Sequence, residues 1–148
     1  MSLGDFLYQL QHQEAVSGPA PQRGILVASA AGLAAQVDAD TIPISSEVAF
    51  IIKSLSIRAT PGAAQTARTF IVQQLDGANN TLAELACANN NPAIAANINV
   101  GHSWHGEWIL MPQERLRASV LFNAGAANNA VLFYVTGIYI PRGNLQLR

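Results

Sequence analysis

Side chains able to do chemistry gather in one stretch, Gly101-His102-Ser103-Trp104-His105-Gly106-Glu107-Trp108. Two imidazoles and a carboxylate this close together form a donor set for zinc or ferrous iron. The spacing opposes it. In a strand His102 and His105 have opposite parity and point to opposite faces, and Gly101 and Gly106 deny them a helix. The expected place for His102, His105 and Glu107 is a surface or a subunit axis, with no metal bound. Trp104 and Trp108 belong to the same stretch and suit a core or a subunit interface, or a platform for a sugar ring. With Tyr139 they are the candidate interface or glycan contacts.

The rest of the chain offers little else to a catalyst. Any two of Glu47, Asp76, Glu84, Glu107 and Glu114 would have to converge to make a glycosidase-type pair, and no motif singles out two of them. Gly-x-Ser-x-Gly and a glycine-rich phosphate loop are both missing from the sequence. The single cysteine, Cys87, lies in a strand-like run and is expected to be a buried small hydrophobe. The expectation is a protein with no catalytic residues and no cofactor.

Composition narrows the class further. Half of the 148 residues are hydrophobic and only 11% are charged, against roughly 25% in an ordinary domain. That is enough apolar material for one core, and it excludes intrinsic disorder. Lys+Arg number 8 against 9 Asp+Glu, and Lys53 is the sole lysine. A binder that neutralises nucleic-acid phosphates is therefore not expected. The longest apolar runs, such as Ala130 to Ile140, are shorter than the ~20 residues of a membrane-spanning helix. The first residues, Met-Ser-Leu-Gly-Asp-Phe, lack the pattern of a signal peptide. The expectation is a chain made and kept in the cytosol, unless it leaves as part of an assembly, with no membrane partner.

The elements that would position these side chains are strands. Residues 1–24 read as an arm and a linker: Phe6, Leu7, Tyr8 and Leu10 satisfy a helical stripe or a strand period equally, and two prolines and two glycines follow between Val16 and Gly24. The arm would fold back on its own domain or dock on a neighbouring subunit. From residue 25 to residue 148 short strands alternate with turns. Ile25 to Ser29 is a brief apolar run, and Ala34 to Ile44 has Pro43 near its end. Glu47 to Ala59 is the clearest long strand, with Ile51, Leu55 and Ile57 on one parity. Ala67 to Leu75 and Thr81 to Cys87 form a hairpin around Asp76-Gly-Ala-Asn-Asn80. Asn89 to Pro92 reads as a loop and Ile94 to Val100 as a further strand. Trp108 to Pro112 and Arg115 to Phe122 read as a strand pair, and Val131 to Ile140, apolar on both faces, as a closing strand that is central and buried on two sides or buried on one and covered by a subunit on the other. About eight short strands without an interior helix predict an all-β antiparallel sandwich or jelly roll.

Three segments carry a resemblance: Ile51-Ile-Lys-Ser-Leu-Ser-Ile-Arg-Ala59, Arg68-Thr-Phe-Ile-Val-Gln-Gln-Leu-Asp-Gly-Ala-Asn-Asn-Thr-Leu-Ala83, and Trp108-Ile-Leu-Met-Pro-Gln-Glu-Arg-Leu-Arg-Ala118. Together with Tyr134-Val-Thr-Gly-Ile-Tyr-Ile-Pro-Arg-Gly143 they resemble the small structural proteins of tailed-bacteriophage virions over residues 45 to 143. The resemblance implies a β-sandwich in the virion. Its partners would be sister subunits, as a homotrimer, and the major capsid protein, and its role a capsid decoration or cement protein. A tail, fibre or receptor-recognition module that binds host glycan is the alternative it implies.

Overall fold

The computed structural model describes residues 3, 21–88, 95–126 and 128–141. They form eight strands: β1 (Gln22–Gly32), β2 (Gln36–Asp40), β3 (Val48–Thr60), β4 (Ala67–Leu75), β5 (Thr81–Ala88), β6 (Val100–Leu110), β7 (Arg115–Phe122) and β8 (Asn129–Pro141). Two four-stranded sheets, ordered β1-β8-β3-β6 and β2-β7-β4-β5, pack face to face. Pairing is antiparallel and nested: β1 with β8, β2 with β7, β3 with β6, β4 with β5. The chain is thus one long hairpin rolled upon itself, which is a jelly roll.

The tip of that long hairpin is the turn after β4. The Asp76 carboxylate accepts from the backbone N–H of Ala78 (2.8 Å) and of Asn80 (2.8 Å) and from the Asn80 amide (2.9 Å). Asn79 takes the left-handed conformation, φ 67°, which asparagine tolerates better than most residues. Those hydrogen bonds, first the one from the Asn80 side chain, hold the Asp76 carboxyl below its ordinary value.

The core forms where the inward residues of both sheets meet. Phe50, Phe70 and Phe133 are fully buried there with Leu110, Leu116 and Val135, each such side chain contributing about 1.5–3 kcal/mol by leaving water. In β7 the expected alternation holds: Leu116, Ala118, Val120 and Phe122 all point inward. In β3 it does not. The register slips between Ile52 and Ser54 against both neighbours, so Lys53 is a bulge. Phe50 and Ile52 therefore share the inner face with Leu55 and Ile57, while Ile51 turns outward.

Other boundaries also move. β1 starts at Gln22, inside the stretch expected to be linker, because Gln22 to Gly24 pair with Tyr139 to Gly137. Residues 95–99 form a turn and not a strand, and β6 begins only at Val100. β6 and β7 do not pair: they lie in different sheets, and the Gln113-Glu114 corner carries the chain across the sandwich. Gln113 there has φ 69°. The arm residues Phe6, Leu7, Tyr8 and Leu10, and the expected loop from Asn89 to Pro92, lie outside the described residues.

Two glycines meet across the β1–β8 pair, Gly24 opposite Gly137. The Phe50 and Tyr139 rings, 4.7 Å apart and tilted by 57°, cover that bare patch of backbone. Aromatic cover of strand glycines in this way replaces the side chains that the backbone lacks.

Candidate functional site

His102 and His105 are split between the two faces of β6, as their parity requires. His102 lies on the inner side, edge-on to Phe70 at 4.7 Å. Its Nδ1 is 3.8 Å from the Cys87 Sγ, and its buried Nε2 has no hydrogen-bond partner among the described residues. His105 is exposed and pairs in the ladder with Ser54. Glu107 forms an ion pair with Lys53. Among the described residues no three His, Cys, Asp or Glu gather into a metal-binding group.

Cys87 corrects an expectation. It is exposed, on β5, an edge strand of its sheet. The carboxylates named as possible partners are engaged separately. Glu84 accepts from Gln73 (2.9 Å), and Glu47 from Ser46 (3.3 Å). Glu114 accepts from the Gln74 amide and the Met111 N–H.

The large aromatics seal the sandwich. Trp104 and Trp108 are half-buried against the core and meet edge to face, 6.3 Å apart at 76°. The Trp108 Nε1 donates to the Gln74 Oε1, and the Gln74 Nε2 donates to the Ile109 carbonyl (3.0 Å). Gln74 is buried on the other sheet, so its amide bridges the two layers. Tyr139 spends its ring on Phe50.

The surface with functional potential is the outer face of the β1-β8-β3-β6 sheet. Along its edge strand Ile25 is 65% and Val27 53% exposed, and Tyr134, across from Val27, is 40% exposed. At the end of the sheet near the β3 start, Ile51 and Ile140 form a second apolar cluster with Ile109 and Ile138, separate from the core. Both Ile51 and Ile140 are 0% exposed although they face away from the sandwich interior. Leu3, from the segment before β1, packs on them. The charges on this face among the described residues are Arg23, Arg58 and the mutually paired Lys53 and Glu107. Between the apolar patches, the Ser54 and Thr136 hydroxyls hydrogen-bond across β3 and β8 at 2.5 Å.

In the sequence alone Ile109, Ile138 and Ile140 do not stand out as a set. The signal was present as an isoleucine at every second position near the end of β8, but the β3 bulge hid Ile51 from it.

The opposite sheet carries charge instead. Arg117 grips Asp40 through Nε (2.7 Å) and a second guanidinium nitrogen (2.9 Å), and the Arg115 Nε adds a 3.4 Å contact. The hydrogen bond from Arg117, more than the charge of Arg115, holds the Asp40 carboxyl below its ordinary value of 3.8. Such a carboxyl contributes its stability fully above the unfolded-chain value and loses it as the pH falls through the lower folded value. Asp40 and Arg117 are each about a third exposed, so solvent screening limits the pair to about 0.5–1 kcal/mol. Asp40→Asn is expected to lower the unfolding free energy measured in urea by that amount at pH 7 and to match the parent protein in acid, once the Asp40 carboxyl is protonated. An equal loss at both pH values would show that packing, and not charge, holds β2 to β7.

No family model matches the sequence, and no curated protein matches it. Among solved structures the chain is similar to one in the structure of infectious bursal disease virus, Gx strain: 12% identity, TM-score 0.43, covering 84% of this chain and 33% of that one. It is also similar to one in the crystal structure of the VP2 subviral particle of infectious bursal disease virus: 13% identity, TM-score 0.39, covering 84% and 34%. A third is the arabinose-bound MgGH51 α-L-arabinofuranosidase, at 13% identity and TM-score 0.38, covering 76% and 17%. The chain thus spans a minor part of each of these chains.

Proposed function

We propose that this chain is a non-enzymatic structural subunit of a bacteriophage particle, a decoration or cement protein that stabilises the head by contacts with sister subunits and the major capsid protein. One observation carries the reading. A sheet face with few charges exposes Ile25, Val27 and Tyr134 side by side at an open strand edge. Contiguous apolar groups on an otherwise polar surface mark protein contact, and depletion of charge marks the centre of such contacts. An edge strand with no further strand beside it among the described residues offers backbone groups that a neighbour can extend. The low charge of the whole chain and its resemblance to phage virion proteins support the same reading. The jelly roll suits it too, although that fold serves many functions. Closed symmetry with three copies, at a local three-fold point of a shell, would bury this face repeatedly.

Gold-labelled antibody against the chain, applied to phage particles purified from the cells that produce them, tests the reading. The expected result is labelling spread over the head. Labelling confined to the tail, or absent from particles, would overturn it.

A further inference from the structure

The isoleucine cluster on the outer sheet face poses a problem of cover. A sandwich protects residues between its sheets, and Ile51 and Ile140 are not between them, yet neither is exposed. The described residue lying over them from outside the sheet is Leu3. We infer that this cluster is an acceptor site for the segment before β1, and that in the assembled protein the segment comes from a second copy of the chain. The inference deepens the proposed structural role and rests on it.

The argument is one of length and place. Pro21 immediately precedes Gln22, which pairs with Tyr139, between Ile138 and Ile140. The start of β1 therefore lies beside the site that Leu3 fills, about two strand spacings, or ~10 Å, from Ile51. Residues 4–20 connect the two points, and a chain of that length reaches on the order of 55 Å when extended. The connection is several times longer than filling the chain's own site requires. It is long enough to fill the same site on a neighbour with identical contacts, the low-cost route by which identical elements are exchanged between protomers. The exposed Ile25, Val27 and Tyr134 lie on the same face, separated from the acceptor site by the Ser54–Thr136 pair, so a neighbour that lends its segment would also come to lie near them.

Cross-linking of full-length chains tests this. Two variants, one Leu3→Cys and the other Ile138→Cys with a size tag, both in a Cys87→Ser background because that thiol is exposed, are unfolded together, refolded and treated with a short bismaleimide. A product with the summed mass of one tagged and one untagged chain is expected. The double variant Leu3→Cys/Ile138→Cys reports closure within one chain. Closure in the double variant with no mixed product from the singles would overturn exchange, and reaction in neither would overturn the acceptor site itself. Sedimentation of the unaltered protein gives an independent reading should a variant not fold. A concentration-dependent dimer or larger species is expected, and a monomer at every concentration would overturn the inference. These outcomes are separate from the labelling of particles: exchange can stand where the virion location fails, and the reverse.

Discussion

Replacing Asn129 by alanine is expected to destabilise the protein by about 3–4 kcal/mol, a fall in Tm on the order of 10 °C, although the residue begins a strand and no apolar volume is lost. The Asn129 side chain is fully buried and makes every hydrogen bond open to it. Its Oδ1 accepts from the Gly62 N–H and from the Gln65 Nε2, each at 2.9 Å. Its Nδ2 donates to the carbonyls of Ala34 and Ala124, each at 3.2 Å. Gln65 in turn accepts from the Ala124 N–H at 3.0 Å. One amide thus pins the β1–β2, β3–β4 and β7–β8 connections at one end of the roll. Removing it leaves two donors and two acceptors short of partners in a place where water has been excluded, and each orphan costs about 1–3 kcal/mol before relaxation. Asn129→Asp is the sharper probe, since it keeps the two accepted bonds but turns a carboxylate oxygen toward two carbonyls. It is expected to be at least as damaging at pH 7 as the alanine change. A thermal melt of Asn129→Asp within about 0.5 kcal/mol of the parent, the range of an inert surface change, would show that the three connections hold without the pin.

Gly137→Ala is expected to cost about 3 kcal/mol, toward the upper end of what overpacking a closed interior does. A Cβ on Gly137 would stand 2.1 Å from the Ile51 carbonyl oxygen and 2.8 Å from the Phe50 Cζ. The first of these is backbone in the strand next to β8, so no rotamer change relieves it; β3 and β8 must move apart. The paired glycine provides the control. A Cβ on Gly24 would meet the Tyr139 ring at 2.0 Å, but that ring is only partly buried and can swing outward. Gly24→Ala is expected to cost about 1 kcal/mol, the low end of the same overpacking range. Urea denaturation of the two variants side by side decides the point, and equal losses would mean that the ring pair, and not the backbone approach, sets the tolerance.

The parts of this architecture that could be read from the sequence are those whose physics is local. The β4–β5 hairpin was legible because Asp76 and Asn80 sit where a turn needs a side-chain acceptor and its donor. β7 was legible because its alternation runs uninterrupted from Leu116 to Phe122. Lys53 defeated the same rule in β3, since a bulge changes which parity faces inward without changing composition. The segments on either side of Gln113-Glu114 read as a strand pair, because a turn that closes a hairpin and one that crosses between sheets use the same residue types. The apolar run around Cys87 reads as interior, whereas its exposure depends on β5 lying at the edge of its sheet. Buried Asn129 and Gln74 left no trace, as the chain is rich in amides and only the fold distinguishes the two that are enclosed. Of the candidate contact residues, Trp104, Trp108 and Tyr139 proved to lie against the core, and the exposed group on the outer face was Ile25, Val27 and Tyr134.

The nested pairing also sets an order of events during synthesis. β4 and β5 emerge together and can pair at once, but β1, the first of the eight described strands to be made, has β8, the last of them, as its neighbour in the sheet. At about 5–20 residues per second the first strand waits roughly 5–20 s for its partner. During that interval Leu26 and Ala28, later interior, and Ile25 and Val27, later exposed, stand together on an unpaired strand. The sheet bearing the proposed contact face is therefore closed only after β8 has left the ribosome. A cell producing many copies would hold many half-made chains, each with that strand open to its neighbours.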